Sequence, residues 1–74
     1  MLRVTLMQGR RMRYQGAATE VILPGEAGEV SILDFHGPML CALAAGIIQC
    51  DGMRIPIQGG VARVDRNAVT ILAH

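Results

Sequence analysis

The chain is 74 residues long, 51% of them apolar, with a formal net charge of +1. That length lies below the two-domain range, so residues 1–74 read as one domain. A charge this close to zero supplies no general attraction to nucleic acid or to an anionic lipid surface, and two cysteines are too few for a disulfide scaffold.

A domain of this size buries only about 60% of the surface that its unfolded chain exposes. Tyr14 and Phe35 are its only aromatic residues. The core must therefore be built from Val, Ile, Leu, Ala and Met. So apolar a chain also leaves apolar side chains at its surface, which favours burial against a partner.

In chain order, Leu2, Val4 and Leu6 alternate with Arg3 and Thr5, which predicts a half-buried first strand. Gln8–Arg11 turns the chain, and Met12–Gln15 adds a short strand before Gly16. Ala18–Leu23 and Glu29–Leu33 form strands around a six-residue turn, Pro24-Gly25-Glu26-Ala27-Gly28-Glu29. Pro holds φ at about −65° and Gly tolerates positive φ, so Pro24-Gly25 is a turn former. Gly37–Gly46 reads locally as a helix. Pro38 fits the first helical position, Gly46 the position after the last turn, and Met39, Leu40 and Leu43 recur at helical spacing.

Ile47–Cys50 and Met53–Gln58 are joined by Asp51-Gly52, a signal for a type I′ hairpin with positive φ at both central residues. Pro56 cannot donate to a ladder, which puts its strand at an edge. Gly59-Gly60 marks a bend or bulge where backbones approach closely. Val61–Asp65 and Val69–Ala73 pair across Arg66-Asn67. Short strands at regular spacing predict an all-β chain, a small two-sheet antiparallel β-sandwich.

The residue types that carry chemistry elsewhere are not arranged for it here. There is no Ser-His-acid grouping with elbow glycines and no pair of acid and base carboxylates. Gly25-x-x-Gly28 lacks the Lys and the helix of a phosphate loop. His36, His74, Cys41 and Cys50 lack zinc-ligand spacing. His36 has no evident nucleophile, because Cys41 lies in an apolar run, so it reads as a strand-end or contact residue. The expectation is a non-enzyme without cofactor or metal.

All seven basic residues are Arg, which suits bidentate contact with carboxylates or phosphates. Arg10-Arg11-Met12-Arg13 lacks interleaved aromatics and sits at a turn, so it reads as a solvated or partner-facing turn rather than a nucleic-acid arm. Both cysteines lie in apolar runs, as free thiols do in a reducing cytoplasm. The first residues alternate rather than form the apolar run of a signal peptide. The ten-residue apolar run Met39–Ile48, broken by Gly46, is too short to cross a bilayer.

The segment Val21–Leu40 resembles the N-terminal β-sandwich domain of the epsilon subunit of F-type ATP synthase, called delta in mitochondria. The family pattern runs close to V-x-L-P-G-E-x-G-E-x-x-[IV]-L-P-x-H-x-P-L-L. Leu23, Pro24, Gly25, Glu26, Gly28, Glu29, Leu33, His36, Pro38 and Leu40 occupy its positions. A second block, S-G-G-x-x-x-V-x-x-N-x-V-T-[IV]-L-A, is matched by Gln58–Ala73. Two departures stand out: Asp34-Phe35 replaces Pro-Gly before His36, and Gln58 replaces the Ser.

The resemblance implies an extended Gly37–Gly46, with a strand around Leu40–Ala44. This reading prevails over the local helix, because a short helix apolar all round needs a core this chain can barely supply. At most one helical turn remains, near Pro38.

The resemblance further implies a central-stalk rotor subunit at the cytoplasmic face of the bacterial plasma membrane. It would couple ion-driven rotation of the c-ring to the gamma subunit and the catalytic head. Its partners would be the gamma subunit and the polar loops of the membrane c-ring, with no nucleic acid and no direct membrane insertion. Residue by residue, the Pro24–Glu29 turn and His36 match the family's end that meets these partners. Glu29 and His36 are the expected c-ring contacts, Glu29 by charge-assisted bonds from a basic loop residue. Pro24, Gly25 and Gly28 shape the turn and Glu26 adds charge. Phe35 would fill a partner pocket, and Met39 and Leu40 would continue that apolar contact, with core packing the favoured reading of both. Such subunits usually continue into a hairpin of two helices. A chain that stops at His74 implies neither ATP binding nor an inhibitory C-terminal arm. The alternative is a stand-alone β-sandwich interaction adaptor unrelated to ATP synthesis.

Overall fold

Alternation of apolar and polar residues builds nine strands around one core in the computed structural model, which describes Met1–His74. They are β1 (Leu2–Gln8), β2 (Arg11–Ala18), β3 (Val21–Gly25), β4 (Gly28–Ile32), β5 (Met39–Leu43), β6 (Gly46–Cys50), β7 (Met53–Ile57), β8 (Gly60–Asp65) and β9 (Ala68–Ala73). No helix forms, so the segment with helical spacing, Gly37–Gly46, is extended and holds β5. The helix loses because β5 pairs with β8 over five register positions and sends Leu43 into the core.

The hydrogen-bonded path runs β2-β1-β9-β8-β5-β3-β6-β7, with β4 added to the free side of β3. Only one register pair, Gly25 with Leu43, joins β5 to β3. Two bonds beside it, Glu26 N–H to the Ala42 carbonyl at 2.9 Å and Ala44 N–H to the Pro24 carbonyl at 2.8 Å, complete that corner. The path therefore folds into two layers, β2-β1-β9-β8-β5 and β4-β3-β6-β7, whose inner faces share one core. Pairing is antiparallel except between β1 and β9, which run parallel, against the expectation of purely antiparallel sheets. At the opposite edges, Gln8 ties the layers together. Its amide donates to the Pro56 carbonyl on β7 at 3.0 Å and accepts from the Arg13 guanidinium on β2.

Seventeen residues form the core, all Val, Ile, Leu, Ala or Cys50. No methionine is among them; Met39 packs half-buried against the margin. Methionine was expected inside, but the branched residues at alternate strand positions already fill the narrow space between the layers. Burial pushes the Cys50 thiol pKa up, and there is no buried side-chain polar atom without a partner.

Several boundaries differ from the sequence reading. β2 runs on to Ala18, because its pairing with β1 continues to Leu2. The expected strand Ala18–Leu23 is interrupted at Thr19-Glu20, where the chain crosses between layers. The six-residue turn shrinks to Glu26-Ala27, since Pro24 pairs with Glu29 and Gly25 with Gly28. Gly25 is required there for space: a Cβ would lie 2.6 Å from the Gly28 carbonyl oxygen and 3.2 Å from Cys41 Sγ. Positive φ at both central residues occurs at Arg66 (51°) and Asn67 (61°), whereas in the Asp51-Gly52 turn only Asp51 (51°) has it. Pro56 does sit on a strand that ends the path.

The break at Thr19-Glu20 is held by Asp51. Its carboxylate accepts from Thr19 N–H (3.1 Å), Thr19 Oγ1 (2.6 Å) and Glu20 N–H (3.1 Å). The Thr19 hydroxyl bond, then the backbone bonds, hold the carboxyl below its ordinary pKa of 3.8. A carboxyl depressed in the folded state contributes stability that is complete above the unfolded pKa and is lost as pH falls through the folded one. The urea midpoint should therefore drop as pH falls below about 4, and Asp51→Asn should flatten that limb of the profile. An unchanged acid limb in Asp51→Asn would contradict this role.

Candidate partner-binding surface

β4 is an edge strand. It pairs with β3 alone, from Val21–Ile32 to Gly25–Gly28, and its other side carries no ladder. Strand alternation sends Ile32 into the core and leaves Val30 half-buried against it. Glu29 and Ser31 therefore face outward and are exposed. Pro24, opposite Glu29, is half-buried and shares that outer face, where it approaches Gly46 so closely that a Cβ there would lie 2.7 Å from Pro24 Cβ. Glu26 is exposed at the tip of the hairpin.

Beyond Ile32 the chain enters the β4–β5 loop, which presents Phe35 and His36. Phe35 has φ of 64° and is 90% exposed. Its N–H donates to Asn67 Oδ1 at 2.8 Å, and the Asn67 amide reaches Asp34 at 3.5 Å. The carboxamide of the β8–β9 turn thus holds the loop in a conformation that costs a non-glycine residue on the order of 1 kcal/mol. His36 is half-buried; its N–H donates to the Leu33 carbonyl at 3.2 Å, and Nδ1 lies 2.7 Å from the Gly37 carbonyl. Met39 opens β5 opposite Val64.

The expected contact residues thus fall into two groups. Pro24, Gly25 and Glu26 lie at the hairpin end, beside Ala42 and Leu43. Phe35 and His36 lie at the other end of β4, beside Asn67. Glu29 is one pair from the hairpin tip, roughly 10 Å along the strand from Ile32 at a rise of about 3.3 Å per residue. The residues do not form one corner: Glu26, Glu29, Phe35 and His36 follow the β4 edge and its flanking loops, Pro24 and Gly25 lie on the neighbouring β3, and Met39 lies on β5, paired with β8. Asn67 was missed as a positioning residue, because Asn in a turn pair reads as a backbone preference and its side-chain partner is 32 residues away. No three His, Cys, Asp or Glu side chains gather where they could share a metal ion, and no helix is long and apolar enough to cross a membrane.

The family model for the beta-sandwich domain of the ATP synthase delta/epsilon chain matches residues 1–74. The chain belongs to that family. This delta/epsilon-type sandwich is 35% identical over 77 residues to the ATP synthase epsilon chain of Synechococcus elongatus, covering 99% of the chain and 56% of that protein. Against the chloroplastic epsilon chain of Chlamydomonas reinhardtii it is 35% identical over 83 residues, covering 99% and 59%. It spans between half and two thirds of the length of these curated relatives. Among solved structures it is similar to a chain of the Euglena gracilis mitochondrial ATP synthase, OSCP/F1/c-ring in rotational state 1. The TM-score is 0.87 at 24% identity, over 97% of this chain and 49% of that one. A chain of the Tetrahymena thermophila mitochondrial central stalk/c-ring gives 0.80 at 15% identity, over 97% and 62%. These likenesses carry the β-sandwich fold. In this delta/epsilon-type sandwich, Phe35 holds a positive φ that few residues other than glycine adopt.

Proposed function

We infer that the protein is a non-catalytic central-stalk rotor element of a membrane-associated F-type ATP synthase, coupling c-ring rotation to the gamma subunit. The observation that carries this reading is the family match along all of residues 1–74. Rotation demands a body that transmits force without deforming. Of 47 backbone hydrogen bonds, 39 lie within the strands, so load passes through ladders rather than loops.

The c-ring contact is assigned to the β4 edge and the loop that follows it. Glu29 supplies a carboxylate for a basic loop of the ring, and Phe35 supplies an exposed aromatic anchor of the kind that dominates interface energetics. His36 extends the same line. Gamma is the second partner, on another face, and the domain stays outside the bilayer, on the cytoplasmic side of the bacterial plasma membrane.

The test is cross-linking in assembled ATP synthase with a photoreactive residue placed at Glu29 and, separately, at Phe35. Both positions should yield c-ring adducts. Glu29→Lys should weaken association with the ring by roughly tenfold, as expected for reversing one interfacial charge, while the melting temperature stays unchanged. Absence of c-ring adducts from both positions would remove the assignment. A domain found with neither gamma nor c-ring would instead be the stand-alone adaptor.

A further inference from the structure

Strands β2, β7 and β4 each have one side without any ladder partner. Two of these edges are blunted against pairing with another chain. β2 carries Arg11 and Arg13 and shifts register between Leu6 and Met7 of its partner. β7 carries Arg54 and Pro56, and Gln8 bonds the Pro56 carbonyl. β4 has no proline, no basic residue and no register shift along its pairing with β3.

Pro24 fixes which backbone groups β4 leaves free. It has no N–H, and its carbonyl accepts from Ala44 N–H at 2.8 Å, so nothing on it bonds Glu29 across the pair. In an antiparallel ladder the N–H and C=O of one residue point to the same side, and that side alternates along the strand. Pro24–Glu29 is thus a pair without hydrogen bonds, and the N–H and C=O of Glu29 and of Ser31 point away from β3. β4 pairs with no second strand, and none of the eight backbone bonds outside the ladders involves either residue. Two donors and two acceptors, repeated at roughly 7 Å, are what an extended backbone matches.

The side chains around the edge define the strand that fits. Glu29 and Ser31 stand on the outer face, and the Ser31 hydroxyl donates to Glu20 at 2.6 Å, so a second carboxylate lies at this edge. Neither Glu20 nor Glu29 has a cationic partner; the two ion pairs join the Met1 amino group to Asp34 and Arg63 to Asp65. On the inner face Val30 is half-buried at the margin of the core, as is Cys41 of the other layer. A Cβ on Gly25 would lie 3.2 Å from Cys41 Sγ and 3.3 Å from Val30 Cγ2, so both side chains approach one point.

We propose that an extended segment of a partner protein adds to β4 as a further strand. It bonds the Glu29 and Ser31 backbone and sets basic side chains at alternate positions against Glu29 and Glu20. The apolar side chain between them turns inward beside Val30. This rests on the reading of β4 as the partner-contact edge and adds how contact is made, main chain to main chain.

Hydrogen exchange, read residue by residue in the full-length protein alone and in assembled ATP synthase, tests the proposal. The Glu29 and Ser31 amides should exchange freely in the protein alone and at least about tenfold more slowly in the complex. Ser31→Pro removes one outward donor without touching the β3 ladder and should weaken association roughly tenfold. Ser31→Ala keeps that N–H and should weaken it much less. Should Ser31→Pro fail to fold, an amide-to-ester replacement at Ser31 removes the same donor. The proposal is overturned by amides that stay unprotected in the complex, or by equal binding of the donor-lacking variant and Ser31→Ala. Photoreactive adducts from Glu29 to a segment without Lys or Arg, or to a second copy of this chain, overturn it as well. Unprotected amides with c-ring adducts would sink the added strand and keep the c-ring assignment. Protected amides with adducts to a basic segment of another protein would do the reverse.

Discussion

Gly60→Ala is expected to remove a large share of the protein's folding stability and to lower its urea midpoint well below that of Gly28→Ala. Gly60 has φ of +147°, and a Cβ at that position would lie 2.3 Å from the Leu72 carbonyl oxygen and 2.7 Å from Ala73 Cα. Both contacts are backbone atoms of β9, which is paired on its other side with β1, so neither can step aside without breaking a ladder. Steric overlap and an unfavourable φ add, and the cost should exceed about 3 kcal/mol. A chain of this length has about 4–11 kcal/mol in total, at roughly 0.05–0.15 kcal/mol per residue. Gly28→Ala is the matched control. Gly28 also has positive φ, +133°, but nothing lies within 4 Å of its added Cβ. That variant should lose only the conformational cost, about 1–2 kcal/mol. Urea unfolding followed by circular dichroism distinguishes the two, and equal midpoints would mean that crowding at Gly60 is not what demands glycine.

The second large loss is expected from Ile71→Ala, about 2–5 kcal/mol. Ile71 is fully buried near the middle of β9, with Leu6 of β1 on one side and Ala62 of β8 on the other. The one aromatic ring packed against the core, Tyr14, is tied by its hydroxyl to the Ala17 carbonyl, and both neighbouring strands are pinned by their own ladders. The cavity should therefore persist rather than collapse, which places the cost in the upper half of that range. Thr70→Ala, one residue away on the outer face, should change stability by less than about 0.5 kcal/mol. Comparable losses in the two variants would contradict the inward and outward assignment of β9.

Both predictions concern positions whose character is half written in the sequence. Alternation in Leu2-Arg3-Val4-Thr5-Leu6 and Val69-Thr70-Ile71-Leu72 announces strands and their buried faces, because a period of two has one geometric solution. The paired glycines at Gly59-Gly60 likewise announce close approach, though not the carbonyl that one of them meets. The Gly37–Gly46 segment was ambiguous for the opposite reason. Its apolar residues satisfy helical spacing and strand spacing alike, and only pairing with β8 selects the strand.

The candidate surface was legible in part. Glu29, Phe35 and His36 were visible as an exposed carboxylate, a lone aromatic and a histidine in a polar loop. Their distribution along an edge was not visible, because the length of β4 depends on how far Pro24 and Gly25 stay paired with Glu29 and Gly28. Asp51 and Asn67 were read only as turn residues. Their side chains bond backbone groups about thirty residues away, and no local pattern encodes such a partner.

Sequence alone determined the strands outside Gly37–Gly46 and the apolar identity of the core, because both follow from residue type and a two-residue period. The tertiary structure decided the single-pair corner between β5 and β3, the parallel union of β1 and β9, and the free outer side of β4. Those features depend on contacts between residues far apart in the chain, where register and layer packing choose among arrangements that local preference leaves equal.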